Sequence, residues 1–370
     1  MKNENPFVVI GYKGPSFFCD REKETKRLIG AIENGRNITL IAPRRYGKTG
    51  LIHHVFNVIS PKVQCIYLDI YALKNLTEFS KAFVASVVGA IDTPVEKMLS
   101  SIACFFKSCR PTITPQENGM PQFSIDVLPH QAEATLQEAF AYLQAKNRDV
   151  VIAIDEFQQI LEFPEKGTEA LLRGFVQSVP NVRFIFAGSR HHLMGEMFMS
   201  AKHPFCQSTD IMSLNVIDYE AYLSFAEERF INTNQPFEEE AFKALYDRFS
   251  GITWYMQIVM NRLWEQGTGL SSKQQINDII KELITDRMLV FRDLYFSQTE
   301  SCQSLLSAIA RDGEAHEVFS GNFLTRHKLT ASSTVRSALK SLEDKDLVYR
   351  TENGYIVYDR ILAEWLRSRT

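Results

Sequence analysis

Four apolar segments have the length and composition of buried β-strands. They cover residues 37–42, 63–68, 150–154 and 182–187. Segments with helical spacing of apolar residues lie between them, and continuous apolar strands that alternate with helices are typical of a parallel sheet covered on both faces. The sequence therefore predicts an α/β fold. Polar residues that directly follow these strands are expected to meet at one edge of the sheet, where such folds bind ligands.

The strand pattern ends near residue 216. Residues 218–298 are predicted to form successive amphipathic helices, with breaks near 232–236 and 267–272. Further helices follow, one of them over 332–342, and then two short strands that flank the dipeptide Asn353-Gly354. Helices with a terminal hairpin are typical of a winged helix. The chain is therefore predicted to contain a core over 1–215, a helical second domain over 216–298 and a winged-helix domain over 299–370.

The pattern is weaker between the second and third apolar segments. Residues 110–119 contain two prolines and a glycine and lack a clear period. This composition predicts a long loop or an insertion. We assign no chemistry to it.

The composition is that of a folded globular protein. The chain has 370 residues, which is more than one core usually serves, and 45% of them are hydrophobic and 23% charged. The formal net charge is −3 and the sequence pI is about 6.3. No overall positive field would attract nucleic acid or an anionic membrane, so any such binding would have to be local.

The cysteines and the N-terminal residues favour a cytoplasmic protein without a membrane partner. The six cysteines contain no CxxC pair and no regular framework, which is typical of a reducing compartment. The first six residues are polar and lack the apolar stretch of a secretory signal. No apolar segment approaches the ~20 residues needed to span a bilayer.

Residues 42–49 match the phosphate-binding pattern GxxxxGK[ST] at every fixed position except the first, where alanine replaces glycine. Lys48 is expected to reach the β- and γ-phosphates of a bound nucleotide, and the Thr49 hydroxyl to bind Mg²⁺. Alanine suits position 42 if its φ is negative. The candidate nucleotide-binding residues are Ala42, Pro43, Arg44, Arg45, Tyr46, Gly47, Lys48, Thr49 and Gly50. The two arginines either add positive charge over the phosphates or face solvent or a neighbouring domain.

Acidic and polar residues follow two later strands. Asp155 ends the segment VVIAID and is expected to hold Mg²⁺, whose preferred ligands are carboxylate and water oxygens. Glu156 is the candidate general base that orients and deprotonates the attacking water. Ser189 and Arg190 end the segment FIFAGSR, where they either contact the γ-phosphate or serve as a helix cap and an exposed cation.

Several segments together resemble the archaeal-type ATPases of the STAND and AAA+ branch of P-loop proteins. They are FFCDREKETKRL, NITLIAPRRYGKTGLI, VVIAIDEFQQI, FIFAGS and the C-terminal YIVYDRILAEWL. The resemblance extends over nearly the whole chain, and it implies a P-loop core, a helical lid and a winged helix. It also implies that Asp20, Arg21 and Glu22 lie near the adenine or brace its loop.

The chain departs from the pattern of this family at two positions. The family often has a glycine-x-proline turn where this chain has Gly251-Ile252-Thr253. It often has an arginine where this chain has Gln207. Because a transition-state arginine can raise the rate ~10³-fold or more, the second departure favours slow turnover unless Arg190 or a partner supplies the charge.

These observations favour a Mg²⁺-dependent protein that binds ATP and ADP and acts as a slow ATPase, a nucleotide-gated switch with a winged-helix output. The alternative is a nucleotide-stabilised regulator that binds DNA or protein without significant hydrolysis. DNA is weakly supported as a partner, since residues 301–370 contain 10 Lys and Arg against 9 Asp and Glu. A small-molecule kinase should have an arginine-rich lid and an acceptor pocket, and neither is apparent in 218–298. The partner protein and the oligomeric state are left open.

Overall fold

The structure is a computed structural model that describes residues 4–92, 104–114, 122–146 and 148–369. The chain divides into two compact units. The first, here called the sheet unit, comprises Ile10–Ala221. The second, here called the C-terminal unit, comprises the residues from Tyr222 onward together with those before Ile10.

A parallel five-stranded sheet forms the centre of the sheet unit, in the order β2-β5-β6-β1-β7. The described strands of this unit are β1 (Ile38–Ile41), β2 (Gln64–Asp69), β3 (Cys109–Thr114), β4 (Gln122–Val127), β5 (Val150–Asp155), β6 (Val182–Gly188) and β7 (Asp210–Ser213). The four strands predicted from the sequence are confirmed. The sequence did not indicate β7, because this edge strand has only four residues and a single fully buried position, Met212.

Part of the predicted loop is a strand. Strands β3 and β4 form an antiparallel pair in which Cys109 is opposite Val127. Residues 110–114 therefore belong to β3, and the prediction of a loop there is wrong. Residues 115–119 lie outside the described residues. Cross-strand backbone hydrogen bonds hold such a pair even where prolines obscure the apolar alternation.

Helices cover both faces of the sheet. The α-helices of the sheet unit are α1 (Glu22–Glu33), α2 (Lys48–Val58), α3 (Leu76–Ile91), α4 (Ala132–Ala145), α5 (Thr168–Ser178) and α6 (His191–Met199). Short 3₁₀ helices cover Pro15–Phe17, Pro129–Gln131 and Phe157–Glu162. Alternate residues of β5 enter two separate cores: Val151 packs with α1 and α2, whereas Ile152 packs with α3 and α4. Burial on both faces explains why this strand is continuously apolar.

The strand order places three chain segments at one edge of the sheet. β6 lies between β1 and β5, with Ile41 paired to Gly188 at the ends of β1 and β6. On the other side of β5, Asp155 is paired with Asp69 at the end of β2. The loop after β1, the end of β5 and the end of β6 are therefore neighbours, as expected for a parallel sheet with its ligand site at the carboxyl ends.

The C-terminal unit is mainly helical and ends in a winged helix. Its helices are α7 (Tyr219–Ile231, which begins in the sheet unit), α8 (Glu239–Phe249), α9 (Thr253–Glu265), α10 (Lys273–Phe296), α11 (Glu300–Asp312), α12 (Gly321–Arg326), α13 (Ser332–Asp344) and α14 (Arg360–Ser368). Strands β8 (Val348–Arg350) and β9 (Tyr355–Val357) form the predicted antiparallel hairpin. The residues at which the three predicted domains begin and end stay predictions. Across the described residues, none of the helices combines the length and the apolar character needed to cross a membrane.

Candidate nucleotide-binding site

The loop after β1 leads directly into α2. Gly47 has a φ of 91°, in the left-handed region that glycine adopts without penalty, and α2 begins at Lys48. Ala42 is fully buried and its φ is not positive, so the condition for alanine at this position is met. The first N–H groups of a helix have no acceptor within the helix and attract anions. The loop thus has the local geometry of a phosphate-binding site.

Lys48 lies against two carboxylates at the end of β5. Its ammonium is 2.9 Å from Asp155 Oδ1 and 3.2 Å from Glu156 Oε1. The Lys48 and Asp155 side chains are only 7% and 4% exposed. Because buried charges must be paired, Lys48 stabilises both carboxylates, which repel each other.

Asp155 accepts hydrogen bonds at both carboxylate oxygens. The Thr49 hydroxyl donates to Oδ2 at 2.8 Å, and the Tyr67 hydroxyl donates to the same oxygen at 2.8 Å. The backbone N–H of Glu156 donates to Oδ1 at 2.9 Å. Tyr67 was not found by sequence reasoning. The available indication was its place near the end of an apolar strand, but its contact depends on β2 lying beside β5.

Glu156 is fixed by side chains from two strand ends. Its φ is 56°, a left-handed conformation that is uncommon outside glycine and that often marks functional sites. Ser189 donates to Oε2 at 2.7 Å, and Gln158 donates to the same oxygen at 2.6 Å. We call Lys48, Thr49, Asp155, Glu156 and Ser189 the strand-tip site.

The contacts of the strand-tip site shift three pKa values. Burial alone would raise the pKa of Asp155, but the charge of Lys48 and the hydrogen bonds from Lys48, Thr49 and Tyr67 outweigh burial and lower it. Burial likewise opposes ionisation of Glu156, and Lys48 with Ser189 and Gln158 lowers its pKa. Burial and the charge of Asp155 raise the pKa of Tyr67. The two carboxylates are therefore ionised and Tyr67 is a neutral donor at neutral pH.

A hydroxyl and a carboxylate oxygen lie where a Mg²⁺ ion would be held. The Thr49 hydroxyl and Asp155 Oδ2 are 2.8 Å apart. Mg²⁺ in nucleotide sites takes one or two protein oxygens together with phosphate and water oxygens, so this pair fits the ion. The ion would neutralise phosphate charge there.

Arg21 braces the loop between β1 and α2. Its side chain is 4% exposed, and its guanidinium donates to the carbonyls of Asn215 at 2.6 Å and Tyr46 at 3.3 Å. The same side chain forms an ion pair with Glu24 at 3.0 Å. The resemblance left open whether Arg21 lies near the adenine or braces its loop. These contacts support bracing of the loop.

Two of the other predicted arginines contact residues outside the strand-tip site. Arg190 pairs with Glu162 at 2.6 Å, and the Arg44 guanidinium lies 4.9 Å from the centre of the exposed Tyr71 ring. Arg45 has a φ of 75°.

The N-terminal aromatic residues pack on α2 beside the loop. Phe18 stacks on His54 with ring centres 4.1 Å apart, and the Tyr12 hydroxyl is 2.9 Å from His54 Nδ1. A Cβ at Gly50 would lie 3.7 Å from Phe18, which is ordinary contact. Pro43 lies in the loop that follows β1, before the turn that begins at Arg44.

Two family models match the chain. A model described as an ATPase domain predominantly from Archaea matches residues 18–259, and one described as a probable winged helix domain matches residues 289–368. The chain belongs to this ATPase family. The predicted P-loop core and winged helix are thereby confirmed. No match was found among curated proteins.

Solved structures show the same fold. A Walker-type ATPase of Pyrococcus abyssi is 17% identical with a TM-score of 0.68, and the match covers 98% of this chain and 99% of that one. The ORC2 protein of Aeropyrum pernix in ADPNP-ADP complexes is 14% identical with a TM-score of 0.58, covering 100% and 98%. The ORC1 protein of the same organism in complex with DNA is 14% identical with a TM-score of 0.50, covering 95% and 93%. At these identities the likeness establishes the fold alone.

Proposed function

We propose that this member of the ATPase family binds ATP with Mg²⁺ at the strand-tip site, hydrolyses it slowly and uses the nucleotide state to control its winged helix. The observation that carries the proposal is the convergence of four side chains from the loop after β1 and the end of β5, although β6 lies between these strands. They are Lys48, Thr49, Asp155 and Glu156. Lys48 is the cation for the phosphates, and Thr49 and Asp155 offer oxygens to a metal ion. Glu156 is the carboxylate that accepts a proton from water.

The ion pairs of Lys48 suggest how ATP would activate the site. Its ammonium is shared between Asp155 and Glu156. A bound polyphosphate offers more negative charge, so it draws the ammonium away and leaves Glu156 Oε1 without its cation. Glu156 then accepts a proton from water while the water oxygen bonds to the γ-phosphorus. The bond from the γ-phosphorus to the bridging oxygen breaks, and ADP and inorganic phosphate are released.

The surroundings of Arg190 support slow turnover. This arginine is the candidate source of transition-state charge next to Ser189, but its guanidinium pairs with Glu162 at 2.6 Å. Hydrolysis that uses Arg190 would first have to break that pair. An arginine supplied by a partner would raise the rate by ~10³ or more.

Phosphate release from ATP tests the proposal, together with calorimetry of ATP binding. Wild-type protein should bind ATP and release phosphate slowly, in a reaction that stops when Mg²⁺ is chelated. Glu156→Gln should keep binding within about threefold and lose at least about 100-fold in kcat, because the amide is no base. Lys48→Ala should lose both. Wild-type binding without any phosphate release would refute hydrolysis and favour the binding-only regulator.

A second candidate function is DNA binding by the winged helix. Residues 321–342 contain Arg326, Lys328, Arg336 and Lys340 and no Asp or Glu, although the whole module is nearly neutral. Helix α13 also exposes Ser333 and Ser337, on either side of Arg336. In helix-turn-helix proteins the second helix lies in the major groove and cations contact phosphates. The similar ORC1 structure is in complex with DNA. We call the exposed side chains of 321–342 the helix-turn-helix surface.

A further inference from the structure

Gln158 is a buried amide that contacts the candidate general base. It lies in the first turn of the 3₁₀ helix Phe157–Glu162 and is 4% exposed. Its Nε2 donates to Glu156 Oε2 at 2.6 Å, next to the hydrogen bond from Ser189 at 2.7 Å. Two neutral donors therefore hold one oxygen of Glu156, while Lys48 contacts the other oxygen at 3.2 Å.

The other end of the same amide has no polar partner. Gln158 Oε1 is buried and accepts no hydrogen bond from the residues that the structure describes. It lies in a corner formed by Gly188 and Met194, since a Cβ at Gly188 would be 2.4 Å from Oε1 and 2.5 Å from the Met194 side chain. A buried acceptor without a donor destabilises the folded state, so it calls for an explanation.

The carboxylate explains this orientation of the amide. If the amide were turned over, Oε1 would lie against Glu156 Oε2, and two hydrogen-bond acceptors would be in contact. The contact with Glu156 therefore fixes the side chain at the cost of an unpaired oxygen. A methionine of the same length would fill the corner without that cost, so packing alone does not account for glutamine here.

We propose that Gln158 is a positioning residue for ATP hydrolysis, which holds Glu156 Oε2 together with Ser189 so that Oε1 is the oxygen that accepts the proton from water. The inference rests on the proposed function. With Ser189 alone the carboxylate could rotate, because a hydroxyl donor can turn with it. A second donor on the same oxygen prevents that rotation. Since Gln158 is neutral, it fixes the base without adding a positive charge that would weaken it.

Gln158→Met removes the donor and the unpaired acceptor together. We expect kcat for ATP to fall about 10-fold or more while KM and the Kd for ATP stay within about threefold. The melting temperature should stay unchanged or rise, because an unsatisfied buried oxygen is lost. A purely structural role predicts the opposite pattern, with a lower melting temperature and weaker binding. Gln158→Asn, whose shorter side chain withdraws the amide, should reproduce the fall in kcat if the methionine variant does not fold.

The neighbouring glutamine provides the matched control. Gln159 is half-buried and donates to the Leu73 carbonyl at 3.3 Å, so Gln159→Met should keep kcat within about twofold. In a Glu156→Gln background, adding Gln158→Met should change the residual rate less than twofold, because the residue acts through Glu156. Unchanged kcat in Gln158→Met with an active wild type would overturn this inference alone. An inactive wild type would overturn the proposed function and this inference with it.

Discussion

The strand-tip site and the helix-turn-helix surface contain charges in opposite settings. In the strand-tip site Lys48 and Asp155 are almost fully buried, and their charges compensate each other at 2.9 Å. On the helix-turn-helix surface Lys328 and Lys340 are exposed, and no acidic residue occurs between residues 321 and 342. Removing one partner of a buried pair typically costs about 3–5 kcal/mol, whereas an exposed pair contributes about 0–1 kcal/mol.

The two regions differ in what compensates their charges. The strand-tip site is held by its own residues, and a ligand must compete with contacts that already exist. The segment 321–342 contains no acidic residue of its own, so a polyanion could bind its cations by releasing counterions, except at Arg326, which already pairs with Asp312. Mutations in the strand-tip site should therefore change the free energy of unfolding and the reaction with ATP. Mutations on the helix-turn-helix surface should change the salt-dependent binding of DNA.

The largest effect is expected for Lys48→Ala. The substitution leaves Asp155 and Glu156 buried together without a cation, so we expect the free energy of unfolding to fall by about 3 kcal/mol. ATP binding should be lost as well, because the contact to the phosphates is gone. Chemical denaturation and calorimetry measure the two effects.

An exposed ion pair serves as the control for Lys48. Lys26 is 3.9 Å from Glu22, and both side chains are more than 80% exposed, at 82% and 81%. Lys26→Ala should change the free energy of unfolding by less than about 0.5 kcal/mol. Equal effects of the two lysine variants would contradict the contrast between buried and exposed charge.

A smaller effect is expected for Tyr67→Phe, which removes one donor from Asp155 Oδ2 and leaves the ring in place. Hydrogen bonds to charged groups contribute about 1.5–3 kcal/mol, so the free energy of unfolding should fall by about 2 kcal/mol in denaturation experiments. Tyr12→Phe is the matched control, because its hydroxyl contacts His54 rather than a buried carboxylate. It should cost about 1 kcal/mol or less. A loss at Tyr67 no greater than that at Tyr12 would show that Asp155 does not depend on this donor.

Local patterns were sufficient for most of the fold and for the residues that we propose contact the phosphates. Continuous apolar strands, the glycine and lysine of residues 47–48, and the acidic pair after β5 are all properties of short segments. The resemblance added the expectation of a lid and the expectation that Arg21 lies near the adenine or braces its loop. The structure shows Arg21 in contact with the Tyr46 carbonyl. The short edge strand β7 and the β3–β4 pair lack a regular apolar pattern and were missed.

The partners of the two carboxylates depend on tertiary structure. Tyr67 reaches Asp155 because β2 lies beside β5, and the strand order does not follow from the sequence of either strand. Gln158 reaches back to Glu156 because the backbone at Glu156 is left-handed, with a φ of 56°. Glutamate rarely adopts this conformation, and no local propensity predicts it. Roles that depend on a neighbouring strand or on a strained backbone could therefore not be found from motifs.

The smallest effect is expected on the helix-turn-helix surface. Lys340→Ala should weaken binding to duplex DNA severalfold, equally for unrelated sequences, and reduce the slope of log K against log salt by about 0.9, since one phosphate contact is lost. Lys328→Ala should act similarly. Folding stability should stay within about 0.5 kcal/mol because both side chains are exposed. Lys273→Ala, an exposed lysine at the start of α10, is the control and should leave the slope unchanged. Fluorescence anisotropy over a salt series measures the slopes. Equal slopes for the wild type and the three variants would rule out this surface as the DNA contact. The strand-tip site would then be the only region with a proposed ligand.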